Sequence, residues 1–312
     1  MTIGEDKITE WFARQSRLSE EDFPIGIGDD MAEIRLAGDV TVLITTDMLL
    51  DGIHFDLLKT TIKQVGYKAM ATSLSDCAAM ATVPVAAVVA VALPRGFGQK
   101  ELKQLHSGIT LAGDKYNCPL IGGDITVWRK KEPFAINVAM LSRPAGNNPI
   151  KRSGAKAGDS ICVTGSLGGA ISGKHLKFEP RVKEAIKLAQ MVTVNSMMDI
   201  SDGLSSDLNR ICRASDVGAL IIAEKIPISK QAKKTKDPLN SALNDGEDFE
   251  LLFTLSPQEC EKLLRIWDDR VPITQIGIIT DTRKMQIKMP NGRMVVMKVG
   301  GYDHLCETKP SK

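Results

Sequence analysis

Residues 62–81, IKQVGYKAMATSLSDCAAMA, space their apolar side chains as a helix does and set an acid among them. Val65, Ala69, Ser73 and Met80 mark the apolar face. Asp76 lies on it, three residues after Ser73 and four before Met80. A carboxylate on a buried face is costly unless it is paired or binds a cation. Lys63 and Lys68 are expected to project elsewhere on the helix, so no partner is supplied locally.

Other acids sit where apolar runs end. VLITTDMLLDGIHF, residues 42–55, opens as a buried strand and turns at once into Thr46, Asp47, Asp51 and His54. An acid following Gly, Ser, Thr or another acid recurs at Asp30, Asp47, Asp76, Asp124, Asp202, Glu247 and Asp248, and Asp199 stands behind two methionines. Singly, each reads as a turn residue or a helix cap. Together they suggest an all-oxygen site for a hard divalent cation, Mg²⁺. Such a cation serves phosphate chemistry, which makes a nucleotide-using enzyme the leading class.

Composition narrows the field. The 312 residues suggest about two domains. With 40 Lys+Arg against 38 Asp+Glu and 4% aromatics, neither a nucleic-acid surface nor a membrane surface is expected. Six scattered cysteines contain no C-x-x-C pair, so buried free thiols are expected. The first eleven residues show no apolar signal region, and VPVAAVVAVALP is too short to span a bilayer; a cytoplasmic protein is expected. Helices are expected near residues 8–17, 62–81, 100–116, 180–190 and 204–214, and around Leu263. Strands are expected near 31–36, 41–45, 85–93, 120–122, 134–141, 160–164, 219–223 and 250–254. This alternation predicts an α/β chain. The Gly-, Pro- and Asn-rich stretch 143–159 divides it into domains 1–148 and 149–312.

GIGDD, TTDMLLDGIHF, LSDCAAMATVP, GGDIT, KRSGAKAGD, DISDGLSSDL, GEDFELLFT and GYDH occur in that order. From about Gly4 to His304 the chain resembles the thiamine-monophosphate kinase family, within the aminoimidazole ribonucleotide synthetase-like superfamily. The resemblance implies ATP-dependent phosphorylation of thiamine monophosphate to thiamine diphosphate, with ATP and several Mg²⁺ ions in a cleft between domains. It implies a two-domain α/β fold in a homodimer whose N-terminal sheets pair into a β-barrel, with the C-terminal α/β domains outside. It implies metal ligands at Asp30, Thr45, Thr46, Asp47, Asp76, Asp124, Asp199 and Asp202. ATP contacts are implied at Gly123, Asp124, Arg152 and Ser201, and substrate contacts at His54, Glu247 and Tyr302. The chain departs from the family pattern at Met31, Glu33, Ile125, Asp245 and Leu305; the last two bear on the substrate pocket.

The expected mechanism is direct in-line transfer. A phosphate monoester with a second pKa of about 6 is largely a dianion at neutral pH and needs no general base. The obstacle is repulsion between two phosphates, which Mg²⁺ and Arg152 offset. The alternatives are superfamily relatives that activate oxygen with ATP or use a reactive Cys, such as selenophosphate synthetase or the hydrogenase-maturation carbamoyl dehydratase. Cys306 is followed by ETKPSK rather than being terminal, which weakens the latter. A non-catalytic nucleotide-binding regulator is the alternative from another class.

GGAISGKH, residues 168–175, nearly matches a phosphate-binding loop, but His175 stands where a hydroxyl would bind Mg²⁺. It is read as a Gly-rich turn after a strand. Lys174→Ala is therefore expected to retain ATP turnover; its total loss would restore the phosphate-loop reading.

Overall fold

The computed structural model describes residues 4–16 and 18–305. The elements run α1 (Glu5–Gln15), β1 (Ala32–Arg35), β2 (Thr41–Leu50), α2 (Ile62–Ala79), β3 (Thr82–Leu93), α3 (Gln99–Gly113), β4 (Leu120–Val127) and β5 (Ala135–Pro144). Then follow β6 (Ser160–Thr164), α4 (Val182–Met191), β7 (Ser196–Asp199), α5 (Leu204–Ser215), β8 (Gly218–Ile222), α6 (Pro238–Asn244), β9 (Leu251–Leu255), α7 (Pro257–Ile266), β10 (Ile273–Thr280), β11 (Met285–Lys288) and β12 (Met294–Val296). The strands form two sheets, ordered β1-β2-β5-β3-β4 and β12-β11-β8-β10-β6-β9-β7. The result is a two-domain α/β architecture.

α2 is the element both halves share. Thr61 and Gln64 close a capping box at its start. Val65, Ala69, Met70 and Leu74 are fully enclosed. They belong to one core that runs from Leu43, Ile136 and Val138 of the first sheet to Leu188 of α4 and Phe253 of β9. A second core, with Ile161, Leu208 and Leu252, covers the other face of the second sheet. Neighbouring residues of β6 thus serve opposite faces, Ile161 in one core and Cys162 in the other.

The pleat of β2 decides what it offers. Leu43 and Leu49 are buried toward α2, whereas Ile44 and Met48 lie exposed on the open face. Thr45 and Asp47 share the buried side, and Thr46 does not. In β4, Asp124 pairs with Ala90, whose neighbour Val88 is also on the open side.

Several boundaries differ from expectation. β2 runs on to Leu50 because its alternation continues through the acids. β3 starts at Thr82, and Pro84, expected to precede the strand, lies inside it. A register shift between Pro84 and Ala86 accommodates the missing donor. α2 ends at Ala79, and Ala81 turns the chain with φ 54°. β7, β10, β11, β12 and α6 were not anticipated. Arg17, the expected end of the first helix, and Cys306 with the residues after it lie outside the described residues. Among the described residues, no helix is long and apolar enough to cross a membrane.

α2 and α3 meet backbone to backbone. A Cβ built on Gly108 would sit 1.9 Å from the Lys63 carbonyl oxygen, and one on Gly66 would sit 2.3 Å from that of Leu105. Gly108→Ala gains about 1 kcal/mol of helix propensity, but overpacking of this kind costs about 1–3 kcal/mol and backbone cannot yield as a side chain does. A net loss of stability in urea unfolding is expected; an unchanged or raised midpoint would contradict the close crossing.

Candidate active site

The acid that looked misplaced in the sequence faces a cavity. The Thr45 hydroxyl donates to Asp76 Oδ2. Ser73 Oγ donates to Asp47 Oδ2 at 2.6 Å, and Ser75 Oγ donates to Asp199 Oδ2 at 2.6 Å. α2 therefore carries one carboxylate and holds two more, one from each sheet. Carboxylate oxygens of Asp30, Asp76 and Asp199 lie within 4.8 Å of one another. Burial is the first cause raising the pKa of Asp47 to about 6 and of Asp199 to about 7, and the charge of Asp30 adds to both. Asp76 is raised well above the usual carboxylate range by burial and by Asp47, Asp199 and Asp30. Arg152 answers part of this charge, with Nη2 2.6 Å from Asp30 Oδ1 and Nε 3.2 Å from Asp30 Oδ2. These groups line a cavity of about 510 Å³. Crowded, oxygen-only, repelling donors are the set that suits a hard cation such as Mg²⁺.

A second cavity, about 860 Å³, shares Glu5, Thr46, Asp47, Thr72, Ser201, Asp202 and Phe249 with the first. His54, Lys68, Glu247 and Tyr302 line it. His54 Nδ1 accepts from the Leu50 amide at 3.0 Å, so in the neutral ring Nε2 carries the proton. Burial, then the charges of Lys68 and His304, lower the His54 pKa to about 4. The turn after β7 links the cavities. It brings Asp199 to the first; the Ser201 carbonyl accepts from the Glu247 amide at 2.6 Å, and the Asp202 carbonyl accepts from the Tyr302 amide at 3.0 Å. Glu247 and Phe249 hold φ values of 59° and 50°, a conformation that side chains avoid and that the surrounding contacts impose. The Tyr302 ring stands edge-on to His304 at 4.7 Å.

The structure thus gathers Asp30, Thr45, Asp47, Asp76 and Asp199 at one cavity, with Arg152 and Ser201 on its wall. Asp202 borders both cavities but is ion-paired with Arg210 at 2.5 Å. Thr46 also borders both cavities, but its hydroxyl lies on the other face of β2 and accepts from Asn137 Nδ2 at 2.8 Å. Gly123 and Asp124 line neither cavity. A Cβ on Gly123 would meet the Val89 carbonyl oxygen at 2.0 Å, so close strand approach already requires a glycine there. Asp51 accepts from the Leu57 amide at 2.9 Å and is a turn residue.

Lys68 does not project elsewhere. Its side chain is 1% exposed, because Lys68, Thr72 and Asp76 follow one another at spacing four along the cavity-facing side of α2. That spacing was the available signal. GGAISGKH forms two short 3-10 turns after β6, and Lys174 and His175 go to different partners, Glu250 at 2.8 Å and Lys68 at 3.0 Å. Arg210, which also touches Asp207 at 2.7 Å, gave no sequence signal.

Comparison with known proteins places this geometry. The N-terminal domain family of AIR synthase related proteins matches residues 28–143, and the C-terminal domain family matches residues 156–290. A thiamine-monophosphate kinase of Rhodopirellula baltica is 39% identical over 81% of this chain and 82% of its own length. One of Buchnera aphidicola subsp. Schizaphis graminum is 34% identical over 97% and 99%. The solved structure of AaThiL complexed with AMPPCP and TMP superposes with a TM-score of 0.81 at 27% identity, covering 96% of this chain and 97% of that one. Two carboxylate-rich cavities on one shared helix, in a chain matched nearly end to end, make this protein a member of the thiamine-monophosphate kinase family.

Proposed function

We propose that this protein transfers a phosphoryl group from ATP to thiamine monophosphate, giving thiamine diphosphate, the last step in making that cofactor. The observation that carries the reading is the pair of contiguous cavities, one built to hold cations and the other to hold an acceptor. The relatives' activity, and the AMPPCP and TMP in the solved homologue, support it. Asp30, Thr45, Asp47, Asp76 and Asp199 would hold Mg²⁺, which supplies charge neutralisation between the two phosphates when bound. His54, neutral with its proton on Nε2, donates to the acceptor phosphate without adding a proton to it. Glu247 offers its carboxylate to the cationic thiazolium, and Tyr302 offers an aromatic face. Arg152 and Ser201 serve the nucleotide side. No side chain needs to remove a proton from a phosphate dianion.

The domain division at 148/149 is supported by the two sheets, whose strands span residues 32–144 and 160–296. The homodimer is supported by the open face of the first sheet. Ile44, Met48 and Val88 are exposed there, with Met48 60% exposed. Pairing of these faces is the route by which Asp124 and Gly123 belong to a site. A cytoplasmic location follows from the need for ATP.

Incubation with ATP and Mg²⁺ is expected to convert thiamine monophosphate to thiamine diphosphate with one ADP released, and to leave thiamine unphosphorylated. ATP binding without ADP release for either acceptor would favour the regulator. Asp47→Ala is expected to lower kcat about 10³-fold, as loss of a transition-state charge partner does, without lowering Tm, since it relieves repulsion. Asp124→Ala is expected to impair turnover as severely; near-normal turnover would remove Asp124 from the site.

The raised carboxylate pKa values set a sign. Folded, cation-free protein keeps protons that the unfolded chain has released, so this contribution to stability is full at low pH and is lost as pH rises through about 6 to 7. Mg²⁺ displaces those protons. Its Tm gain is therefore expected to be larger at about pH 8 than at about pH 5.5; equal gains would contradict the cluster as the cation site.

A further inference from the structure

Lys68 is the largest fully buried side chain of α2, and the proposed reaction gives it no role. Its ammonium has three close neighbours from three separate segments. Nζ donates to the His54 carbonyl oxygen at 2.6 Å and to His175 Nδ1 at 3.0 Å, and it lies 2.5 Å from Glu247 Oε2. An ammonium only donates: it hydrogen-bonds the His54 carbonyl and His175, while Glu247 Oε2 is held as an ion-pair partner and makes no hydrogen bond. His175 accepts because it is neutral: burial, then the charge of Lys68, lower its pKa to about 4. His54 belongs to the loop after β2 in the first domain, whereas His175 and Glu247 belong to the second. The short turns of GGAISGKH thus acquire a use, since they deliver His175 to the same ammonium.

We infer that Lys68 is a positioning residue of the acceptor site: it ties the His54 loop to Glu247 across the cleft and fixes the Glu247 carboxylate beside a cationic acceptor. This deepens the thiamine monophosphate reading and rests on it for the identity of the acceptor. Lys68 borders the acceptor cavity, but its side chain is 1% exposed and its ammonium faces His54, His175 and Glu247. Glu247 is mostly buried, and burial is the main cause raising its pKa, with Lys68 the opposing influence. Without Lys68 the burial of the Glu247 carboxyl would be less offset, which weakens its hold on a cation, and the His54 carbonyl would lose its anchor. The nucleotide cavity does not include Lys68.

The test is Lys68→Met in the full chain, a swap that keeps much of the volume of the buried stem. KM for thiamine monophosphate is expected to rise about tenfold or more, with KM for ATP within about twofold of wild type. A folded variant with unchanged KM for thiamine monophosphate, or with both KM values raised together, would overturn the inference. His175→Leu removes one acceptor and leaves the charge; the same split is expected at smaller size. Its absence would overturn the inference if Lys68→Met fails to fold. Hydrogen exchange of the free variant, Lys68→Met or else His175→Leu, supplies a readout independent of the acceptor. Amides of residues 52–56 and 246–249, in different domains, are expected to exchange faster together. If wild-type protein does not turn over thiamine monophosphate, the acceptor assignment fails, and this exchange result alone decides the tie: unchanged exchange in either segment would overturn it.

Discussion

Repulsion among carboxylates is the constraint around which the rest of the molecule is arranged. Asp30, Asp76 and Asp199 come within 4.8 Å of one another at the edge of the core. At an effective dielectric of 20, each ionised pair at that separation costs about 3.5 kcal/mol. Three such pairs would rival the 5–15 kcal/mol that ordinarily separates folded from unfolded protein. The cluster stands because its members hold protons, accept from Thr45, Ser73 and Ser75, lean on Arg152, or bind a cation. A fold that needed only stability would not assemble it.

α2 makes the assembly possible. A helix enclosed on all sides can present different groups to different neighbours. α2 uses glycine against α3, apolar side chains against both sheets, and the row Lys68, Thr72, Asp76 toward the cavities. One rigid element thereby fixes the distance between the cation side and the acceptor side. In-line transfer depends on that distance, because the two phosphates must be held in register against their own repulsion. The turn Asp199–Asp202 repeats the device from the second domain, with Asp199 in one cavity and the Glu247 and Tyr302 backbones hung from its carbonyls.

Much of this was legible in the sequence, for identifiable reasons. Asp76 announced itself because an acid on an apolar helical face breaks a strong period. Asp47 and Asp199 announced themselves by ending apolar runs. What stayed hidden was pairing. Alternation along TTD separates Thr46 from Thr45 and Asp47, yet the motif reads as one block until the strand is known to continue to Leu50. Lys68 looked like an ordinary solvated lysine, because its buried partners lie 14, 107 and 179 residues away. Glu247 and Ser201 meet through a backbone hydrogen bond that no side-chain pattern encodes. The strands β10 to β12 were not legible because their faces are partly exposed, β10 at the centre of its sheet as much as β12 at the edge, and they lack the continuous apolar run that marked β6 and β9.

The claim at the centre is that the carboxylates around Asp76 bind the cations and the adjoining cavity binds the acceptor. Crystals grown with Mn²⁺, a non-hydrolysable ATP analogue and thiamine monophosphate test it directly by anomalous diffraction. The account predicts manganese peaks among Asp30, Asp76 and Asp199, with the acceptor phosphate against His54 and the thiazolium beside Glu247. Manganese bound elsewhere, or thiamine monophosphate seated away from His54 and Glu247, would contradict it.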